Sequence, residues 1–214
     1  MPRTRRLTKA NYVYHVLNRG AKKGLLFNQP SDYAAFEELL VEACKRVPMR
    51  ILAYCLMPNH WHLLLWPIRD GDLTRFVKWL AATHACRWAH AHECVGNGAV
   101  YQSRFKSIPI EHGPHLFWTW RYVERNALRA ELVSKAEDWQ WCSLNKRMST
   151  PPPDWLDRGP IPLPDNWTEI VNLLQTNKEL DEFRKRMKIG KPFGCEEWLA
   201  SAQKDRGRPN LRNA

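Results

Sequence analysis

The alternation of apolar and polar positions predicts where the chain is extended and where it is helical. Tyr12 to Leu17 is β-branched and aromatic and is closed by Arg19-Gly20, so it reads as a first strand. Ala34 to Val41 repeats apolar residues at helical spacing behind Ser31, a helix-capping residue type, until Pro48 stops the run. Arg50 to Met57 and His60 to Trp66 are two further strand-like runs. Only Pro58-Asn59 separates them, which leaves room for nothing but a hairpin. Thr74 to about His92 carries a second helical period through Phe76, Val77, Leu80 and Ala81, ended by Gly96-Asn97-Gly98. Val100 to Ile110 alternates as a fourth strand, and His115 to Ala130 reads as a third helix.

The order strand, helix, strand, strand, helix, strand is the split βαβ, ferredoxin-like arrangement. It predicts an α+β palm, an antiparallel sheet with helices on one face. After Trp141 the pattern changes. Pro151-Pro152-Pro153 and the prolines at 160, 162 and 164 can sustain neither helix nor ladder hydrogen bonds and read as a linker. Asn166 with Glu169 resembles a capping box opening a helix through Leu174. Glu179 to Met187 makes a second short amphipathic helix, and Pro192 to Ala202 a third. The expected organisation is a palm over residues 1–148, a proline-rich linker over 149–165 and a helical extension with a basic tail over 166–214.

Charge narrows the partners. Lysine and arginine total 33 against 22 acidic residues, a net charge of +11, which favours a polyanion: nucleic acid first, an anionic membrane surface second. No run is long and apolar enough to cross a bilayer, and the basic start leads into polar residues rather than a signal-peptide core. The expected location is the cytoplasm, at the nucleoid. Six scattered cysteines without a CxxC pair suit reduced thiols.

Several side chains could carry chemistry. His60 and His62, two residues apart on a strand, project from one face and can converge on a cation, while Trp61 points the other way. Strand histidines also occur simply as hydrogen-bonded surface residues. Tyr122 and Asn126, four apart on the third helix, share a helical face. A phenol with a pKa near 10 becomes a nucleophile toward phosphorus only with a nearby base or cation. Arg121, Arg125 and Arg129 recur every four residues as a guanidinium stripe, either a phosphate clamp or a solvated face paired with Glu124 and Glu131. Arg104 and Lys106 on the fourth strand project together as backbone-phosphate contacts. A competing zinc cluster of His84, Cys86, His90, His92 and Cys94 crowds the second helix. Cys86, His90 and Cys94 span two turns, about 12 Å by the helical rise, too far to grip one ion.

Four segments, in this order, resemble the REP-associated tyrosine transposases of the single-tyrosine HUH superfamily. They are Tyr14-His15-Val16-Leu17-Asn18-Arg19-Gly20, Ala53 to Leu64 around His60-Trp61-His62, Gln102-Ser103-Arg104-Phe105-Lys106-Ser107, and Arg121-Tyr122-Val123-Glu124-Arg125-Asn126. The resemblance covers about residues 11 to 145. It implies His60 and His62 as ligands of a divalent cation, magnesium or manganese, with Asn126 where relatives place a polar side chain that reaches the metal. It implies Tyr122 as the nucleophile that forms a 5′-phosphotyrosine and leaves a free 3′ hydroxyl. The implied partner is single-stranded DNA bearing imperfect hairpins of the repetitive extragenic palindrome type, with Arg206 and Arg208 resembling a minor-groove hook. Relatives follow the asparagine with proline, whereas Ala127 stands here. Two other readings remain open: a non-catalytic hairpin-binding protein, and a metal-dependent phosphodiesterase using activated water. Monomer or dimer, and a tyrosine serving its own or a partner's site, also remain open.

Overall fold

The computed structural model describes residues 6–10 and 12–207. The elements run β1 (Val13–Arg19), α1 (Pro30–Arg46), β2 (Met49–Met57), β3 (His60–Pro67), α2 (Asp72–Ala91), β4 (Lys106–Ile110) and α3 (Pro114–Glu124). They continue as α4 (Asn126–Arg129), α5 (Ser143–Arg147), α6 (Trp167–Asn172), α7 (Asn177–Ile189) and α8 (Glu196–Gly207). The four strands lie in the order β2-β3-β1-β4 with every neighbouring pair antiparallel, which is the ferredoxin-like palm.

Helices cover both faces of the sheet, not one. Tyr14, Val16, Leu63 and Leu65 pack with Phe36 and Leu40 of α1 and Phe76 and Leu80 of α2. Leu64, Ile108 and Ile110 point the other way and meet Leu116, Trp120 and Val123 of α3. The physical reason is legible in the strands: β2 and β3 are buried along nearly their whole length instead of alternating. A continuous apolar run such as Leu63-Leu64-Leu65 needs cover on both sides.

Three elements depart from the periodicity. The α1 helix starts at Pro30 rather than behind Ser31, because Asp32 accepts from the backbone N–H of Asn28 and Gln29 at 2.7 and 3.1 Å and fixes the entry there. The fourth strand is confined to Lys106–Ile110. The stretch before it is held by side chains instead of a ladder, with Tyr101 bonded to both Trp61 and His84 and Phe105 buried. Arg104 therefore sits in a loop, off the strand that carries Lys106. The expected third helix breaks at Arg125, because the Asn126 amide donates to the carbonyls of Tyr122 and Val123 at 2.9 and 3.4 Å and competes with the helical ladder.

The proline-rich stretch and the extension fold back onto the palm. Asp157 N–H donates to Ile51 O, and Phe193 exchanges backbone bonds with Pro109 and Glu111, each 2.9 Å long. Phe183 and Phe193 join the α3-side core, while Ala202 of α8 joins the other. The side chain of Arg206 and all of Arg208 lie outside the described residues.

Candidate active site

The antiparallel register sets three histidines on the α3 face of the sheet. His62 of β3 stands opposite Leu17 of β1, His60 opposite Arg19, and His15 of β1 opposite Leu64. His15 and His62 are thus diagonal neighbours across two strands, within reach of long side chains. Their rings stack 5.0 Å apart at 8°, and His15 Nε2 lies 2.8 Å from His62 Nδ1. His60 Nδ1 lies 2.7 Å from Asn59 Oδ1, in the turn that begins β3. Both imidazoles of the pair therefore have one nitrogen held, and each has Nε2 left to offer. Trp61 turns to the opposite face and donates to Tyr101 at 3.0 Å.

Burial keeps these rings neutral. It lowers His15 to about 3 and His60 to about 4 and carries His62 well below its ordinary value, helped in the pair by neighbouring imidazole or guanidinium charge. Neutral imidazoles with one nitrogen oriented and the other free are the form that binds a metal. The fit also selects a tautomer: if His62 Nε2 is to be a ligand, its Nδ1–H must donate to His15 Nε2. The proton of His15 then lies on Nδ1, which is buried without a partner among the described residues. Two imidazole nitrogens and an amide oxygen suit several divalent cations. Among the described residues no group of three or more His, Cys, Asp or Glu side chains is arranged to hold a metal ion. His15 acts behind His62 rather than beside it.

Tyr122 of α3 meets this face within the same chain. Its ring lies 6.0 Å from His62 and 6.1 Å from His15, edge-on to both. The phenol is 3% exposed. Burial raises its pKa, opposed by the charges of Arg129 and Arg184 and by a hydrogen bond from Arg184. Trp118 stacks beside it at 5.6 Å and Phe183 of α7 closes over it at 4.8 Å, also reaching His15 at 5.5 Å.

The arginine stripe divides. Arg121 and Arg125 turn to the end of α6, where both donate to Leu173 O and Arg121 also to Leu174 O, as a C-terminal cap. Arg129, beyond the helix break, reaches the site: it donates to Asn126 Oδ1, and its guanidinium carbon lies 5.0 Å from the Tyr122 centroid. Asn126 is fully buried, and the carbonyls its amide nitrogen meets fix its oxygen toward Arg129. Lys106 opens β4 opposite Leu17 and so lies in the same row as His62. Arg104 is not among these side chains. It lines a separate groove of about 790 Å³ with Arg6, Lys78 and the alanine face of α2.

Four contributors were absent from the sequence-derived site. His15 carried a usable signal, since it alternates with Val13 and Leu17 on a strand that must pair with a histidine-bearing one. Arg19, exposed and opposite His60, carried the same signal. Phe183 and Arg184 carried none, because nothing local to α7 says which face of the palm it covers.

The fold and the site define a basic α+β palm on which histidines of two central strands and a helical tyrosine converge. Residues 8–126 match the family described as "Transposase IS200 like", more than half of the chain, and the protein belongs to that family. A solved REP-associated tyrosine transposase bound to a REP hairpin shares the fold, with a TM-score of 0.57 and 17% identity over 74% of this chain and 92% of that one. A crystallised Deinococcus radiodurans R1 protein described as a transposase aligns with a TM-score of 0.41 and 16% identity, over 56% and 84% of the two chains. No curated protein matches. No helix of the described residues is long and apolar enough to cross a membrane.

Proposed function

We propose that this transposase cleaves and rejoins single-stranded DNA beside REP-like hairpins through a covalent 5′-phosphotyrosine at Tyr122. The observation that carries the reading is the meeting of the Tyr122 ring with His62 and His15 on one sheet face of a single chain. His60 and His62 would hold a divalent cation, Mg2+ or Mn2+, through Nε2, with Asn126 Oδ1 as a third donor once freed. That cation supplies Lewis-acid polarisation of the scissile phosphate.

The chain's own residues supply the rest. Asn59 and His15 hold the imidazoles in ligating orientation. Burial alone disfavours the phenolate, and the guanidinium groups of Arg129 and Arg184 offset that cost at the oxygen that must lose its proton. Attack by that oxygen on phosphorus forms the phosphotyrosine and releases the 3′ hydroxyl. The reverse attack by a 3′ hydroxyl rejoins a strand, so no external energy source enters. Lys106, in the row of His62, lies where it could meet the DNA backbone. The groove bearing Arg104 and Lys78 offers a second cationic strip for the same polyanion.

The test is cleavage of a hairpin-flanked single-stranded oligonucleotide with Mg2+ or Mn2+ by the wild type, Tyr122→Phe and a His60→Ala, His62→Ala double variant. Activity in the wild type alone supports the reading, and equal cleavage by all three ends it. The cover over Tyr122 by Phe183 favours one rival, a hairpin-binding protein that does not cut. That rival predicts tight hairpin binding without a covalent adduct in any variant.

A further inference from the structure

Arg129 is a second cation at the site. Its Nη2 donates to Asn126 Oδ1, its guanidinium lies over the Tyr122 ring, and its charge reaches both His60 and His62. Its Nε is buried and donates to nothing among the described residues. A buried guanidinium nitrogen without an acceptor is a donor still able to take an oxygen, and leaving it unpaired opposes folding. Asn126 has no alternative ligand atom to offer, since its amide nitrogen is tied to the carbonyls of Tyr122 and Val123. Whatever cation coordinates Asn126 must displace Arg129 or share the oxygen with it.

We infer that Arg129 and the divalent cation compete for Asn126 Oδ1, so that metal entry releases the Arg129 guanidinium to the scissile phosphate. The inference rests on the function proposed above. Two positive charges a few ångströms apart in a partly buried site oppose one another, so each weakens the other's hold on the amide oxygen. A displaced guanidinium presents Nε and Nη as a planar fork that matches two phosphate oxygens. By linkage, a phosphate that draws Arg129 away from Asn126 also tightens the metal. Metal and DNA would then bind cooperatively, and the metal-free centre would keep its own positive charge in place.

The experiment measures Mn2+ affinity of the full-length chain without DNA, by the paramagnetic resonance signal of free Mn2+, in parallel with cleavage at saturating Mn2+. Arg129→Gln should bind Mn2+ about tenfold more tightly than wild type, the size of an ordinary coupling between sites, yet cleave more slowly. Arg129→Lys keeps the charge and loses the fork, so its Mn2+ affinity should stay near wild type while its cleavage falls. Unchanged or weaker Mn2+ binding by folded Arg129→Gln, or binding by Arg129→Lys as tight as by Arg129→Gln, overturns the inference. Should Arg129→Gln fail to fold, the wild type decides: a hairpin oligonucleotide with a non-cleavable linkage must tighten Mn2+ binding, and no tightening overturns it equally. If the His60→Ala, His62→Ala variant binds Mn2+ as the wild type does, the metal site is misplaced and the proposed function falls with the inference. If only the Arg129 comparisons fail, the function stands without it.

Discussion

Replacing His15 by phenylalanine isolates the residue behind the imidazole pair. Phenylalanine keeps an aromatic ring at a fully buried position packed on Phe183 and Tyr122. It removes the acceptor 2.8 Å from His62 Nδ1. Without metal, His62 can move its proton to Nε2, so the metal-free protein should lose little stability. With metal on Nε2 the proton is confined to Nδ1, in a side chain only 3% exposed, and it has no acceptor. An orphaned buried donor costs about 1–3 kcal/mol. Loss of a partner behind a ligating histidine lowers metal affinity roughly 10–100-fold, about 1.4–2.7 kcal/mol, which agrees in size. Calorimetric titration of Mn2+ into the DNA-free protein reads the affinity, and thermal unfolding in chelator reads the stability. His15→Gln, which retains an acceptor, should recover part of the loss. Wild-type affinity in His15→Phe would refute the reasoning, as would a loss of stability in chelator as large as the loss of affinity.

Other outcomes follow from the same geometry. Phe183→Ala removes a fully buried ring and should cost about 3–5 kcal/mol of stability by denaturant titration. It should also speed formation of the covalent adduct per folded molecule, and a slower adduct would show that the ring helps rather than blocks. Glu124, fully buried, accepts from Ser143 and from Trp167 at 2.6 Å each and thereby ties the tyrosine helix to α5 and α6. Glu124→Ala orphans the Trp167 indole N–H at about 1–3 kcal/mol and leaves the Ser143 hydroxyl only its longer bond to Tyr54 O, and an unchanged urea midpoint would contradict that clamp. Acid should destabilise the metal-free protein. His15, His60, His62 and His84 all lie below 6.5 when folded, so between about 4 and 6.5 the unfolded chain binds more protons and stability rises with pH. Their contribution is complete above about 6.5 and is lost as pH falls through about 4, where His60 and His84 take up protons, and on through about 3, where His15 does; a flat denaturation profile across that window would contradict it.

Local pattern carried the palm and part of the site. Pro58-Asn59 between two apolar runs forced the β2-β3 hairpin, and that hairpin alone put His60 and His62 on one face. The resemblance then supplied a role for Tyr122, and the fold brings it to those histidines. What escaped was long-range. Arg121, Arg125 and Arg129 are evenly spaced, so periodicity read them as one stripe. The carbonyls that capture Arg121 and Arg125 lie about fifty residues further on, at 172–174, and the break at Arg125 separates Arg129 from both. The break itself comes from the Asn126 side chain bonding backward, a competition that helix propensity does not register. The linker and extension read as appendages because prolines interrupt the pattern. They dock by short backbone pairings, capped carbonyls and buried rings, Asp157 on Ile51, Phe193 on Pro109 and Glu111, and Leu173 under Arg121 and Arg125, which have no periodic signature.

The central claim is that the Tyr122 oxygen becomes bonded to DNA. It is tested most directly by peptide mass spectrometry after incubating the protein with a hairpin-flanked single-stranded oligonucleotide and Mn2+. The account predicts a nucleotide joined through its 5′ phosphate to the peptide containing Tyr122, absent when chelator is added and absent in Tyr122→Phe. Cleaved DNA with no protein-bound nucleotide, or an adduct on another residue, would contradict it.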